Sequence, residues 1–119
     1  MNYTIIDRNG KTYVAADSTS PLATEQDALD LVGACMGHDA LRLLLGEGTL
    51  SDDFFKLRTG LAGSVLQKFV NYRIRAAAVI PDGQLIQGRA KEMIAEMKHG
   101  NDFQVFATVE EAEQWLLGF

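Results

Sequence analysis

Hydrophobic positions along the chain follow two patterns, short apolar runs and longer stretches spaced by three and four, which alternate from end to end. Tyr3–Asp7 (YTIID) and Lys11–Ala16 (KTYVAA) are β-rich runs joined by Arg8-Asn9-Gly10. Asn-Gly between two such runs predicts a tight hairpin, because a type I′ turn needs positive φ at both central residues. After the polar loop Asp17–Pro21 the period changes. Thr24 can cap a helix with Asp27 in its first turn; Ala28, Leu29, Val32, Cys35 and Met36 make the apolar face, with Gln26, Asp27 and Asp30 opposite. Gly37 is the expected C′ stop. Leu41–Leu45 (LRLLL) reads as a short strand ended by Gly46-Glu47-Gly48.

The stretch from Ser51 to Ile80 is the centre of the pattern. Ser51 is suited to cap a helix, and Asp52 and Asp53 place negative charge at its positive end. From Gly60 onward, Leu61, Ala62, Val65, Leu66, Phe69 and Val70 form one apolar stripe, and Ser64, Gln67, Lys68 and Asn71 fall on the other side. Gly60 and Gly63 each cost about 1 kcal/mol of helix propensity relative to Ala. They fit close packing, or a joint between a short helix at Ser51–Leu57 and a longer one beyond. They also fit a helix N-terminus at Thr59-Gly60 where a phosphate or a partner docks. Ile74–Ile80 (IRAAAVI) is apolar without alternation and ends at Pro81-Asp82-Gly83, as expected of a strand buried on both faces of a parallel sheet.

A further helix is predicted over Arg89–His99 and a last strand over Phe103–Ala107. Thr108 and Glu111 cap a final helix carrying Val109, Ala112, Trp115 and Leu116. The order is ββαβαβαβα over one domain, residues 1–119. Strands alternating with helices through short connections predict an α/β fold. Its single mixed sheet would be parallel except at the N-terminal edge strand, with helices covering it.

Composition narrows the function classes. A chain of 119 residues with 47% hydrophobic side chains can bury a core without staples. Its one cysteine, Cys35, excludes an internal disulfide and fits a reducing compartment. No stretch approaches the ~20 apolar residues of a membrane span, and MNYTIIDRNG lacks the order of a signal peptide, so a cytoplasmic location is expected. A net charge of -5 argues against nucleic-acid binding, although Arg73 and Arg75, with Arg89 and Lys91, make a local basic cluster.

TGLAGSVLQKFVNYR at Thr59–Arg73, followed by an Ala/Val strand, resembles a bacterial family, domain of unknown function family 4180. The hairpin opening, the DFF before the central helix, KHGN at Lys98–Asn101 and the closing EEAEQWL look like that family too; PDGQLIQG at Pro81–Gly88 departs from it. More distantly, the strand–helix order is similar to the STAS fold of anti-sigma-factor antagonists. In those proteins a Ser or Thr before Gly-Leu at a helix start is phosphorylated by a partner kinase. Thr59-Gly60-Leu61 looks like that site, with Arg58 where an acidic residue is usual. The resemblance thus implies Thr59 and Gly60 as a candidate phospho-acceptor or anion site.

Few residues suggest catalysis. Cys35 and His38 could pair a thiol with an imidazole, but Cys35 falls on the apolar helix face, where a free cysteine is inert, and His38 suits a helix end. One C-x-x-H with a distant His99 does not make a zinc site, and no metal or other cofactor is implied. Gly46-Glu47-Gly48-Thr49 lacks the Gly-Lys-Ser/Thr of a phosphate loop. Two functions follow from these residues. The first is a non-catalytic regulatory module that binds a protein partner or kinase, with a homodimer left open. The second is a small-ligand domain using the loops at the strand ends, Gly46, Gly48 and Thr49 with Asp82 and Gly83, where open α/β sheets place ligands.

Overall fold

The hairpin forms as Asn9-Gly10 demands. In the computed structural model, which describes residues 2–19, 21–50, 54, 60–81, 92 and 102–118, β1 (Tyr3–Arg8) and β2 (Lys11–Ala16) pair antiparallel, Arg8 opposite Lys11 and Tyr3 opposite Ala16. Asn9 and Gly10 take φ of 54° and 78°. There follow α1 (Glu25–Gly37), β3 (Arg42–Leu45), α2 (Leu61–Asn71), β4 (Arg75–Val79), β5 (Phe103–Phe106) and α3 (Val109–Leu117). The five strands lie side by side in chain order, and each pair after the hairpin is parallel. This is the α/β class and mixed sheet that the pattern predicts, with β4 in the interior. The helix expected at Arg89–His99 and the short one at Ser51–Leu57 lie outside the described residues, apart from Glu92 and the buried Phe54.

Alternation along the strands sends side chains to two separate cores. Val14, Ala16, Leu43, Leu45, Ala76, Ala78 and Phe103 meet α1 and α2 on one face. Tyr13, Leu44, Ala77 and Val79 meet Ala112 and Leu116 of α3 on the other. Burial on both faces is why LRLLL and IRAAAV read as continuous apolar runs. Crossovers of one hand, joining neighbouring parallel strands in one direction, put α1 and α2 on the same face. Trp115 of α3 packs near Phe106, ring centroids 5.8 Å apart, at the β5 side.

The helix ends are set by local bonds, with two corrections to the expected pattern. Thr24 caps α1 in a full capping box with Asp27, and Thr108 accepts from the Glu111 N–H at the start of α3. Gly37, expected as the C′ stop, is the last residue inside α1, and the chain turns instead at Asp39, whose φ is 52°. The N–H of Ala40 bonds to Cys35 O at 2.8 Å and that of Asp39 to Met36 O at 3.2 Å, a Schellman motif. α2 ends the same way. Arg73 has a φ of 58°, with Ile74 N–H on Phe69 O and Arg73 N–H on Val70 O. The second correction concerns the face of α1. Ala28, Leu31, Val32 and Cys35 line the core, while Leu29 and Met36, expected there, stand 38% and 55% exposed. The i, i+3, i+4, i+7 stripe from Ala28 leaves both at its flank.

Candidate functional site

At the C-terminal edge of the parallel strands, Gly46, Gly48 and Thr49 form a turn that is fastened to the preceding loop. Thr49 N–H bonds to Gly46 O at 3.0 Å, and Gly48 sits third in the turn with φ 80°, where a side chain would be strained. Gly46 N–H donates to Ala16 O at 2.9 Å. The Thr49 hydroxyl, fully buried, donates to the same oxygen at 3.2 Å. A Cβ on Gly46 would lie 2.9 Å from Ala16 O, and one on Gly48 2.9 Å from Ser18 Cβ. These residues therefore hold the loops after β2 and β3 together, and Leu22 N–H on Thr49 O at 2.6 Å extends the joint. Asp82 and Gly83, the other half of the expected ligand loops, lie outside the described residues, as does Thr59. Gly60 is the N-cap of α2, left-handed at φ 68°, and gives the helix no side-chain cap.

The cysteine and the two rings with acid–base chemistry are placed by packing. Cys35 is fully buried, and burial alone pushes its thiol up to about 12. His38, three residues on, faces Tyr3 edge-on with ring centroids 6.3 Å apart. Tyr13 is buried under α3, and its hydroxyl donates to Glu113, which Arg8 Nε also approaches at 3.6 Å. Burial first, and then the Glu113 carboxylate, raise the Tyr13 phenol well above its ordinary value. This trio ties the hairpin to the last helix. Among the described residues no group of three His, Cys, Asp or Glu side chains is arranged to hold a metal ion.

A second cluster lies at the opposite edge of the sheet, and the sequence pattern does not bring it together. Lys11, Arg42 and Arg75 are the first residues of β2, β3 and β4. By alternation with Tyr13, Leu44 and Ala77 all three stand on the α3 face. α3 has Glu110 and Glu111 in its first turn and no base in its last. The cations come from the strands: Arg42 Nε donates to Leu116 O at 3.1 Å, and Lys11 Nζ to Leu117 O. Each complements the negative end of the helix. Arg42 and Arg75 are register partners across β3 and β4. Together with Asp39, Leu41 and Arg73 they line an open cleft of about 360 Å³. Two of these five, Asp39 and Arg73, are the left-handed cap residues. Glycine is the cheap choice at C′, and a residue with a Cβ there costs on the order of 1 kcal/mol. Arg73 and Arg75, singled out in the sequence as part of a basic cluster, are thus joined by Arg42; Arg89 and Lys91 lie outside the described residues.

No helix among the described residues is long and apolar enough to cross a membrane. No curated protein matches the chain. A family model does, over residues 8–116, from the last residue of β1 to the buried Leu116 of α3. The match spans β2 to β5, α1, α2 and nearly all of α3, well over half of the chain, and on that ground the chain belongs to the family described as Domain of unknown function (DUF4180).

Proposed function

We propose that the chain is a non-catalytic regulatory module of STAS-like architecture that acts in the bacterial cytoplasm by binding another protein. Its contact point is the entrance to α2, and phosphorylation of Thr59 by a partner kinase switches it. One observation carries this reading: the strands stack in chain order, α1 and α2 share a face, and Gly60-Leu61 opens the helix that lies beside the interior strand. The succession of strand–helix units is the part of this arrangement on which the STAS resemblance rests. Gly60 leaves the first turn of α2 without a side-chain cap. A phosphate just before it would meet backbone N–H groups and the positive end of the dipole. The absence of catalysis in this reading is supported by where the reactive side chains lie. The Cys35 thiol is held protonated, His38 packs on Tyr3, and the Tyr13 hydroxyl is given to Glu113.

The small-ligand alternative, at the C-terminal strand ends, has weaker support. The Gly46 N–H and the Thr49 hydroxyl both serve Ala16 O, and Gly48 abuts Ser18. Affinity capture from cells with the wild-type chain, Thr59→Ala and Thr59→Asp, read by quantitative mass spectrometry, tests the proposal. It predicts one protein enriched by wild type and Thr59→Ala and lost with Thr59→Asp. Equal recovery with all three would end the phosphoswitch. Recovery of the chain alone would end the regulatory reading.

A further inference from the structure

We infer that the outer edge of β1 is where two copies of this chain meet, their β1 strands pairing antiparallel about Ile5 to join two sheets into one. β1 is a margin of the five-stranded sheet. It keeps an unbroken six-residue register with β2, and has no bulge, proline or lysine to blunt its outer side. Pairing that starts with Arg8 opposite Lys11, across a two-residue turn, directs the N–H and C=O groups of Arg8, Ile6 and Thr4 toward β2. Those of Tyr3, Ile5 and Asp7 point out of the sheet. A dyad at Ile5 sets Tyr3 opposite Asp7 of the second copy and Ile5 opposite its own counterpart. Every outward group of these three residues then has a partner.

The side chains are self-complementary in the same register. Ile5 and Ile6, half-buried at the middle of β1, lie at the axis, with the exposed Tyr3, Thr4, Asp7 and Arg8 around them. That is the apolar centre and polar rim of a protein interface. Both charges of the strand sit at one end. Antiparallel pairing sends the two ends apart, so Asp7 and its counterpart stand about 14 Å from each other, beyond a Debye length at physiological salt. Asp7 comes instead beside Tyr3 of the second copy, whose ring meets His38, an imidazole that complements a carboxylate. A dyad within one sheet preserves its faces, so both α1 helices lie on the same side. The exposed Met36, two residues before His38, extends the contact there. Specific interfaces bury about 1,200 Å² or more in total. A short strand edge with one helix end reaches the lower part of that range, so association at micromolar concentrations is expected.

Sedimentation velocity of the full chain across the micromolar range tests the edge. The sedimentation coefficient should rise from that of a monomer to that of a dimer and stop there. Thr4 is exposed and would face Ile6 of the second copy, so Thr4→Lys sets a charge beside the axis on each copy without touching the core. That variant should keep the thermal midpoint of dilute protein and stay monomeric throughout. Ile5→Cys should cross-link to itself under mild oxidation, because residues opposed in such a pair have Cα atoms about 5.5 Å apart, within disulfide reach. Asp7→Cys should not, and the fully buried Cys35 leaves the wild type without a cross-link. A monomer at every concentration, assembly beyond the dimer, a dimer kept by Thr4→Lys, or cross-linking of Asp7→Cys as efficient as that of Ile5→Cys would each overturn the inference. The edge does not depend on the regulatory reading, so Thr59→Asp should leave the dimer intact.

Discussion

Cys35 shows how a single side chain can look reactive in sequence and be inert in place. Its thiol lies among the core residues of α1, and its proton is held because the thiolate would have to form away from water. A thiol pKa raised from 9.0 to about 12 in the folded chain gives stability that is complete below pH 9. That stability is lost as pH climbs toward 12, at up to about 1.4 kcal/mol per unit. Thermal midpoints measured from pH 7 to 11 should stay level and then fall above pH 9. Cys35→Ala should start lower, by about 1–2 kcal/mol for the cavity, but flatten the decline between pH 9 and 10. Tyr13, raised in the same sense, adds to the fall only above its ordinary value near 10. Gly48 makes the complementary case, a residue whose lack of a side chain is what matters. With φ at 80° and Ser18 Cβ 2.9 Å from any added Cβ, Gly48→Ala should cost about 1–3 kcal/mol in chemical denaturation. Gly37→Ala, with no positive φ and open space around it, should not destabilise.

Element boundaries were legible wherever the signal was local. Asn9-Gly10, Thr24 with Asp27 and Thr108 with Glu111 each fix a turn or helix start through bonds between residues at most three apart, so sequence alone locates them. Thr24→Ala removes the side-chain bond to Asp27 N–H and should lower stability by about 1 kcal/mol, with faster amide exchange in the first turn of α1. Helix ends were less legible. The pattern stops α1 at Gly37 because glycine is the usual left-handed residue, yet the chain gives that conformation to Asp39, and to Arg73 after α2. Such a choice can be recognised only when the cleft both residues line is seen. The cations at the end of α3 were hidden for a related reason. A helix without bases in its last turn appears uncompensated in sequence, while Lys11 and Arg42 reach it from 106 and 74 residues away.

For the whole molecule, alternation of strand and helix was enough to give the class and the parallel sheet, because neighbouring parallel strands need crossovers. The lack of alternation within IRAAAVI was enough to put that strand inside. Strand order is what converts these pieces into sites. Only with β1 outside β2 does Ile5 reach the sheet margin, and only with α1 and α2 on one face does Gly60 open the helix beside the sheet centre. The Gly46–Thr49 turn, by contrast, was visible as a turn but not as a fastening, since its partners Ala16 and Ser18 precede it by some thirty residues. Both functional proposals rest on this arrangement, in which β1 is a margin and β4 lies between β3 and β5 with α2 on one side and α3 on the other. Native-state hydrogen exchange tests it most directly. In dilute, monomeric protein, amides of Ala76–Val79 should be the slowest in the chain, opening with free energies close to that of global unfolding, while the outward amides of the edge strand Tyr3–Arg8 exchange well before them. Exchange at Ala76–Val79 as fast as in Tyr3–Arg8 would contradict an interior β4, and with it the architecture on which both sites are placed.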